Sequence, residues 1–192
     1  MYEVFTMLID LLKQGQGTRN VLFKVVAVGF SGKSQCLDKH SDKERAVFFR
    51  RVNALSVDET VKKLLMGIYD NDETLTALDL RRKQIGTEGA KAIAEALEKN
   101  NTLMTLNLFR NQIGAEGAKA ISEALKENTT LRTLNLRGNQ IGDEGAKEIA
   151  DALKVNIKLT SLDLRDNQIG DEGARGIADA LNENRTLTTL NL

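Results

Sequence analysis

Residues 134–153 read LNLRGNQIGDEGAKEIADAL, and near-copies flank them: LNLFRNQIGAEGAKAISEAL at 106–125 and LDLRDNQIGDEGARGIADAL at 162–181. The leucines that open the units, Leu75, Leu103, Leu131, Leu159 and Leu187, each lie 28 positions after the last. A fixed period of this size marks a solenoid, in which each unit buries its apolar face against the next. The first half of a unit alternates. Leu134 and Leu136 point one way, Thr133, Asn135 and Arg137 the other, which is a short half-buried strand. The second half changes period. Ala146, Ile149, Ala150 and Leu153 follow the stripe of an amphipathic helix. Asp143 is expected to cap that helix, and Asn156 stands where it should stop.

Strand–turn–helix units in series force parallel strands. Strands pair about 4.8 Å apart, whereas packed helices need roughly 8–10 Å. Gly145, Ala146 and Ala150 narrow that gap without closing it. The stack must bend, with strands on the inner face and helices outside. Asn111, Asn139 and Asn167 follow the strands, where the chain turns inward. Their amides carry both donors and acceptors and are expected to satisfy the backbone groups buried there. The first unit has Lys83 at that position, as a less regular terminal unit would.

The pattern LxxLxLxxNxIGxxGAxxIAxAL over residues 75–192 resembles the leucine-rich repeat of the ribonuclease-inhibitor type. The resemblance implies an α/β fold: a right-handed solenoid, or horseshoe, with a parallel concave sheet and convex helices. It also implies protein partners. Residues 57–192 are assigned to the solenoid, with 57–74 a degenerate half unit and regular units from 75. A shift by one period places Val57 on Ile85, Leu65 on Ile93 and Tyr69 on Leu97. Residues 1–56 are assigned to a mainly helical N-terminal capping region. In it MYEVFTMLIDLLK reads as an amphipathic helix and VLFKVVAVGF as a buried strand, while KERAVFFRRVNAL reads as a further helix or as the worn strand of the degenerate unit, the helix being preferred.

Composition narrows the function classes. The 192 residues hold 27 basic and 27 acidic side chains. That balance lacks the basic excess of a nucleic-acid binder. No apolar run is long enough to span a membrane. MYEVFTMLIDLLKQG lacks the basic start of a secretory signal, and Cys36 is the only cysteine, so a cytoplasmic setting is expected. The sequons at Asn100, Asn128 and Asn184 recur because the repeat recurs. No catalytic, cofactor or metal set emerges: His40 is the only histidine and lies in a charged stretch read as an exposed loop. AVGFSGKS (27–34) fits a loosened phosphate-loop pattern, but its glycines stand too close to wrap a phosphate, so a plain turn is preferred. Asp163 and Asp166 sit on repeat positions and read as solvated surface.

Outward-facing positions that vary between units are where a partner is expected. Asp79, Asn107, Asn135 and Asp163 form one ladder. Arg81, Phe109, Arg137 and Arg165 form the next, and Arg82, Arg110, Gly138 and Asp166 follow at the strand ends. Arginine and aromatic residues are what binding hot spots favour. The partner-binding set is therefore Asp79, Arg81, Asn107, Phe109, Arg110, Asn135, Arg137, Asp163 and Arg165. Against it stands the plainer reading that Asp79 and Asp163 simply neutralise Arg81 and Arg165. The leading function is a protein-interaction scaffold, not an enzyme, that binds a partner through the concave face. One alternative is the regulatory or sensor part of a nucleotide-switched signalling protein, or a GTPase-activating horseshoe. Another is a cytoskeletal filament-capping module.

The sequence stops at Leu192, as a fifth strand begins, and the expectation is a piece of a longer horseshoe. With Leu187, Leu190 and Leu192 uncovered by a following helix, self-association through this edge is expected at high concentration. Sedimentation velocity checks this; a monomer at every attainable concentration refutes it.

Overall fold

Five three-residue strands carry the repeat: β1 (Ala77–Asp79), β2 (Thr105–Asn107), β3 (Thr133–Asn135), β4 (Ser161–Asp163) and β5 (Thr189–Asn191). They form one parallel sheet in chain order, with Leu78, Leu106, Leu134, Leu162 and Leu190 in register. The computed structural model describes residues 39–192, of which Lys43–Leu192 form one compact unit. Its helices are α1 (Lys39–Ala54), α2 (Glu59–Tyr69), α3 (Gly86–Lys99), α4 (Gly114–Glu127), α5 (Gly142–Val155) and α6 (Asp171–Glu183). The architecture is the α/β leucine-rich solenoid. The expected N-terminal helix MYEVFTMLIDLLK, the strand VLFKVVAVGF, the AVGFSGKS turn and Cys36 lie outside the described residues.

The core is a stack of repeated side chains. Leu106, Leu134 and Leu162 on the strands and Ile93, Ile121, Ile149 and Ile177 on the helices are buried. Each such side chain contributes roughly 1.5–3 kcal/mol. Helices approach closely because their first turns carry Gly-Ala. A Cβ added at Gly117 would lie 2.6 Å from Ile113 Cγ2 and 3.0 Å from Ala90 Cβ.

At its N-terminal end the core is closed by α1 and α2. Phe48 and Val52 of α1 are fully buried, and the Phe48 ring stacks on Tyr69 with centroids 4.1 Å apart. Leu65 and Tyr69 of α2 occupy the places that Ile93 and Leu97 hold one period later, and all four are buried. Lys99 Nζ lies 5.0 Å from the Tyr69 centroid and 2.8 Å from Glu44 Oε2. Arg45 and Asp70 add an ion pair between α1 and the end of α2. Asp58 caps α2 by accepting the Val61 N–H at 2.8 Å. His40, expected in a loop, lies instead in the first turn of α1. The helical pattern of the following residues extends back through it.

The asparagine ladder is present. Asn139 Nδ2 donates to Leu108 O (2.9 Å) one unit back and to Leu136 O (2.8 Å) in its own unit. Its Oδ1 accepts the Asn111 N–H at 2.8 Å. Asn111 and Asn167 repeat the arrangement, and Asn111 Oδ1 takes the Lys83 N–H where the first unit has no asparagine. A second ladder runs along the other end of the strands. Asn128 and Asn156 are 4% and 5% exposed. Asn156 Nδ2 donates to Leu125 O (2.6 Å), the last turn of the preceding helix, and Asn156 Oδ1 accepts the Leu159 N–H (2.8 Å). Asn100, Asn128 and Asn184 do the same. Asn156 does end α5, but in extended backbone (φ −71, ψ 123) rather than a left-handed cap.

The expected cap by Asp143 is corrected. α5 already starts at Gly142, after Ile141, with no side-chain cap. Asp143 therefore lies inside the first turn and reaches the next unit. Its Oδ1 accepts the Gly170 N–H at 2.7 Å and the Gly173 N–H at 3.0 Å, at the start of α6. A carboxylate there also favours the positive end of that helix.

Replacing Asn139 by leucine keeps the branched outline of the side chain but strands two carbonyls and one N–H. We predict a loss of about 3 kcal/mol or more, measured by urea denaturation. A loss below about 1 kcal/mol would show the ladder to be dispensable.

Candidate functional site

The outer face of the sheet is built from the residues between the buried leucines. Ala77, Thr105, Thr133, Ser161 and Thr189 align in one row, and Asp79, Asn107, Asn135, Asp163 and Asn191 in the next. Thus the nine residues selected from the sequence do share one face. They do not share one role.

Asp79, Asn107, Asn135 and Asp163 turn their own backbone. Each Oδ1 accepts the N–H two residues on, of Arg81 (3.1 Å), Phe109 (3.1 Å), Arg137 (3.0 Å) and Arg165 (3.2 Å). These local bonds close the strand and start the turn. Arg81 and Arg165 are then held by the same carboxylates. Arg81 Nε lies 2.8 Å from Asp79 Oδ2, and Arg165 Nη2 lies 2.6 Å from Asp163 Oδ2. The Arg165 hydrogen bond is the main reason that the Asp163 carboxyl sits below its ordinary value. These two arginines are thus ion-paired with aspartates of their own strands.

The middle of the face is different. Phe109 is half-buried, and three guanidinium groups gather on its ring. Arg110 Cζ lies 5.0 Å from the centroid, and Arg82 and Arg137 Cζ each lie 5.6 Å away. Arg82 and Arg110 take the left-handed turn position (φ 56 and 54), held by N–H bonds to Phe109 O and Arg137 O of the following units. In the third unit this position is Gly138 (φ 71). A Cβ there would stand 3.0 Å from Arg110 Cγ, so glycine leaves the space that Arg110 fills. Arg137 Nε pairs with Asp166 Oδ2 at 2.7 Å. Among the described residues no carboxylate pairs with Arg82 or Arg110. Cation–ring contacts of this kind contribute about 0.5–1 kcal/mol each at exposed sites.

The structure brings Phe109, Arg110 and Arg137 together and keeps Arg81 and Arg165 with their own aspartates. Arg82 is the member that the selected set leaves out. Its signal was its place three residues past the strand, in the same row as Arg110. Among the described residues no cluster of three or more His, Cys, Asp or Glu could hold a metal ion. A hollow of about 370 Å³ between Ala54–Ser56 and Gln84–Glu88 has Glu88 as the one titratable group in its lining.

Since Asp163 titrates low in the fold, its contribution is fully present above its unfolded value and disappears as pH falls through the folded one. Asp163→Asn keeps the backbone turn and removes the ion pair. We predict a loss of up to about 1 kcal/mol at pH 7, fading as the pH falls below the ordinary aspartate range, by thermal unfolding across pH. A difference that persists at low pH would assign the effect to the turn.

The model of the TMOD/LMOD leucine-rich domain family matches residues 53–192. No curated protein sequence matches. Among solved structures, one described as Leiomodin-1 Actin-Binding Site 2 is 30% identical, with a TM-score of 0.65, covering 70% of this chain and 79% of that one. The tropomodulin C-terminal domain of Caenorhabditis elegans has a TM-score of 0.63 over 69% of this chain and 81% of its own. At 16% identity that second likeness speaks for the fold alone. The family match spans well over half of the sequence, and the chain belongs to the TMOD/LMOD leucine-rich domain family.

Proposed function

We propose that this protein is an actin-binding module of the cytoskeleton, cytoplasmic and without enzymatic activity, that caps or decorates filaments through its leucine-rich solenoid. The observation that carries this reading is the 30% identity, along 70% of the chain, with a structure described as an actin-binding site. It moves the filament-capping alternative ahead of the general scaffold. The solenoid supports such a role physically. Its units are locked by buried amides, so the backbone of its concave face is already ordered before binding. The repeat is of the ribonuclease-inhibitor type in this reading, residues 57–192 being the solenoid and 1–56 its N-terminal cap. The concave-face set from Asp79 to Arg165 is the contact surface.

The nucleotide-switched and GTPase-activating alternatives have less behind them. The AVGFSGKS turn lies outside the described residues. Two of the arginines that would act on a partner's nucleotide, Arg81 and Arg165, are engaged by their own aspartates.

The test is purified actin. The protein is expected to pellet with filaments and, at substoichiometric amounts, to slow elongation from filament seeds followed with a fluorescent actin. Neither pelleting nor a change in elongation, with the protein folded, would sink the proposal.

A further inference from the structure

The concave face carries an uneven charge pattern that the fold does not require. Arg81, Arg137 and Arg165 each have a carboxylate within 2.8 Å. Arg82 and Arg110 have none among the described residues, yet both are drawn to the ring that Arg137 also touches. Arg82 and Arg110 are uncompensated and both lie within 5.6 Å of one centroid, beside Arg137 and its Asp166, so their like charges repel each other. An anion seated there would relieve that repulsion and gain forked hydrogen bonds.

We infer that the Phe109 cluster is a clamp for an acidic peptide segment of the protein partner, with Arg82 and Arg110 taking its carboxylates and the Phe109 ring seating its apolar stem. The clamp rests on the actin-binding reading for its partner and on its own geometry for its chemistry. The positive zone spans three adjacent strands, roughly 10 Å across. Carboxylates bound it on both sides, Asp79 beyond Arg82 and Asp163 and Asp166 beyond Arg137. A nucleic-acid backbone needs a longer uninterrupted basic track, whereas two or three side-chain carboxylates fit the zone. The inner strands β2 and β3 have their backbone groups paired with neighbours on both sides. The segment is therefore held by side chains and adds no strand.

Asp166 is the element that restrains the clamp, because it occupies Arg137. Asparagine tolerates the left-handed backbone there (φ 59) and carries no charge. Asp166→Asn releases the third guanidinium.

The test uses the full chain, a fluorescent hexaglutamate peptide read by anisotropy, and actin pelleting in parallel. Circular dichroism melts confirm that each variant is folded. Expected are a loss of roughly tenfold or more in peptide affinity for Arg110→Glu and for Arg82→Glu, and a clearly smaller loss for Arg165→Glu, whose charge is already engaged. Asp166→Asn should tighten binding several-fold, and added salt should weaken it. Equal losses at Arg110 and Arg165 would overturn the clamp in favour of diffuse attraction. So would wild-type protein that ignores the peptide, or that prefers a phosphoserine hexapeptide. If wild type and Arg110→Glu pellet equally with actin, the clamp fails as the partner contact while the actin reading stands. If wild type binds the peptide but not actin, the clamp stands and the actin reading falls.

Discussion

A primary amide that bonds the backbone of two successive units is the interaction on which this structure rests. A solenoid turns its chain sharply twice per unit, and each turn brings peptide groups into the core away from water. Leaving them unpaired costs about 1–3 kcal/mol apiece. Asn139 bonds carbonyls of its own unit and of the one before, and accepts an N–H from that earlier unit. Asn156 joins the end of one helix to the start of the next strand. The two ladders flank the sheet, so β2, β3 and β4 are each pinned at both ends. Only a side chain with donor and acceptor on one carbon fits, which explains asparagine at both positions rather than aspartate or serine.

The amides set the register; the small residues set the shape. Strand spacing is fixed by hydrogen bonds, and helix spacing by what lies between the helices. Gly117 against Ala90 brings the backbones as near as a helix pair allows. The remaining difference in spacing becomes curvature and turns the sheet inward. At the N-terminal end α1 and α2 replace the neighbour that a regular unit would have. The Phe48–Tyr69 stack closes the core at this end, where a regular unit would have a preceding repeat.

The same geometry sorts the exposed charges. A strand residue's carboxylate that closes the turn lies beside the arginine two positions later, and the pair neutralises itself. Where the ladder carries an asparagine, the next position is left without that partner. This happens at Asn107 and Asn135, and there the face carries Phe109 and Arg137. Arg137 finds Asp166 instead, and the uncompensated charges are those of Arg82 and Arg110, gathered beside the Phe109 ring.

The sequence by itself determined the repeat, its strand and helix halves, the parallel order, the curvature and the structural purpose of Asn111, Asn139 and Asn167. These follow from local periodicity, which chain spacing alone exposes. The helix across residues 43–55 was legible from its pattern as well. Other features were decided by tertiary structure, because they involve atoms one whole unit apart. Asp143 looks like the cap of its own helix, yet the helix starts one residue earlier and the carboxylate serves the next one. Asn100, Asn128 and Asn184 look like glycosylation sequons and are structural amides, Asn100 and Asn128 of them buried. Asp79, Arg81, Asp163 and Arg165 look like the ends of a binding row and are mutually satisfied. Arg82 reaches the Phe109 ring from the neighbouring unit, a contact that the repeat spacing allows but that only the left-handed turn at Arg82 and the side-by-side strands bring about.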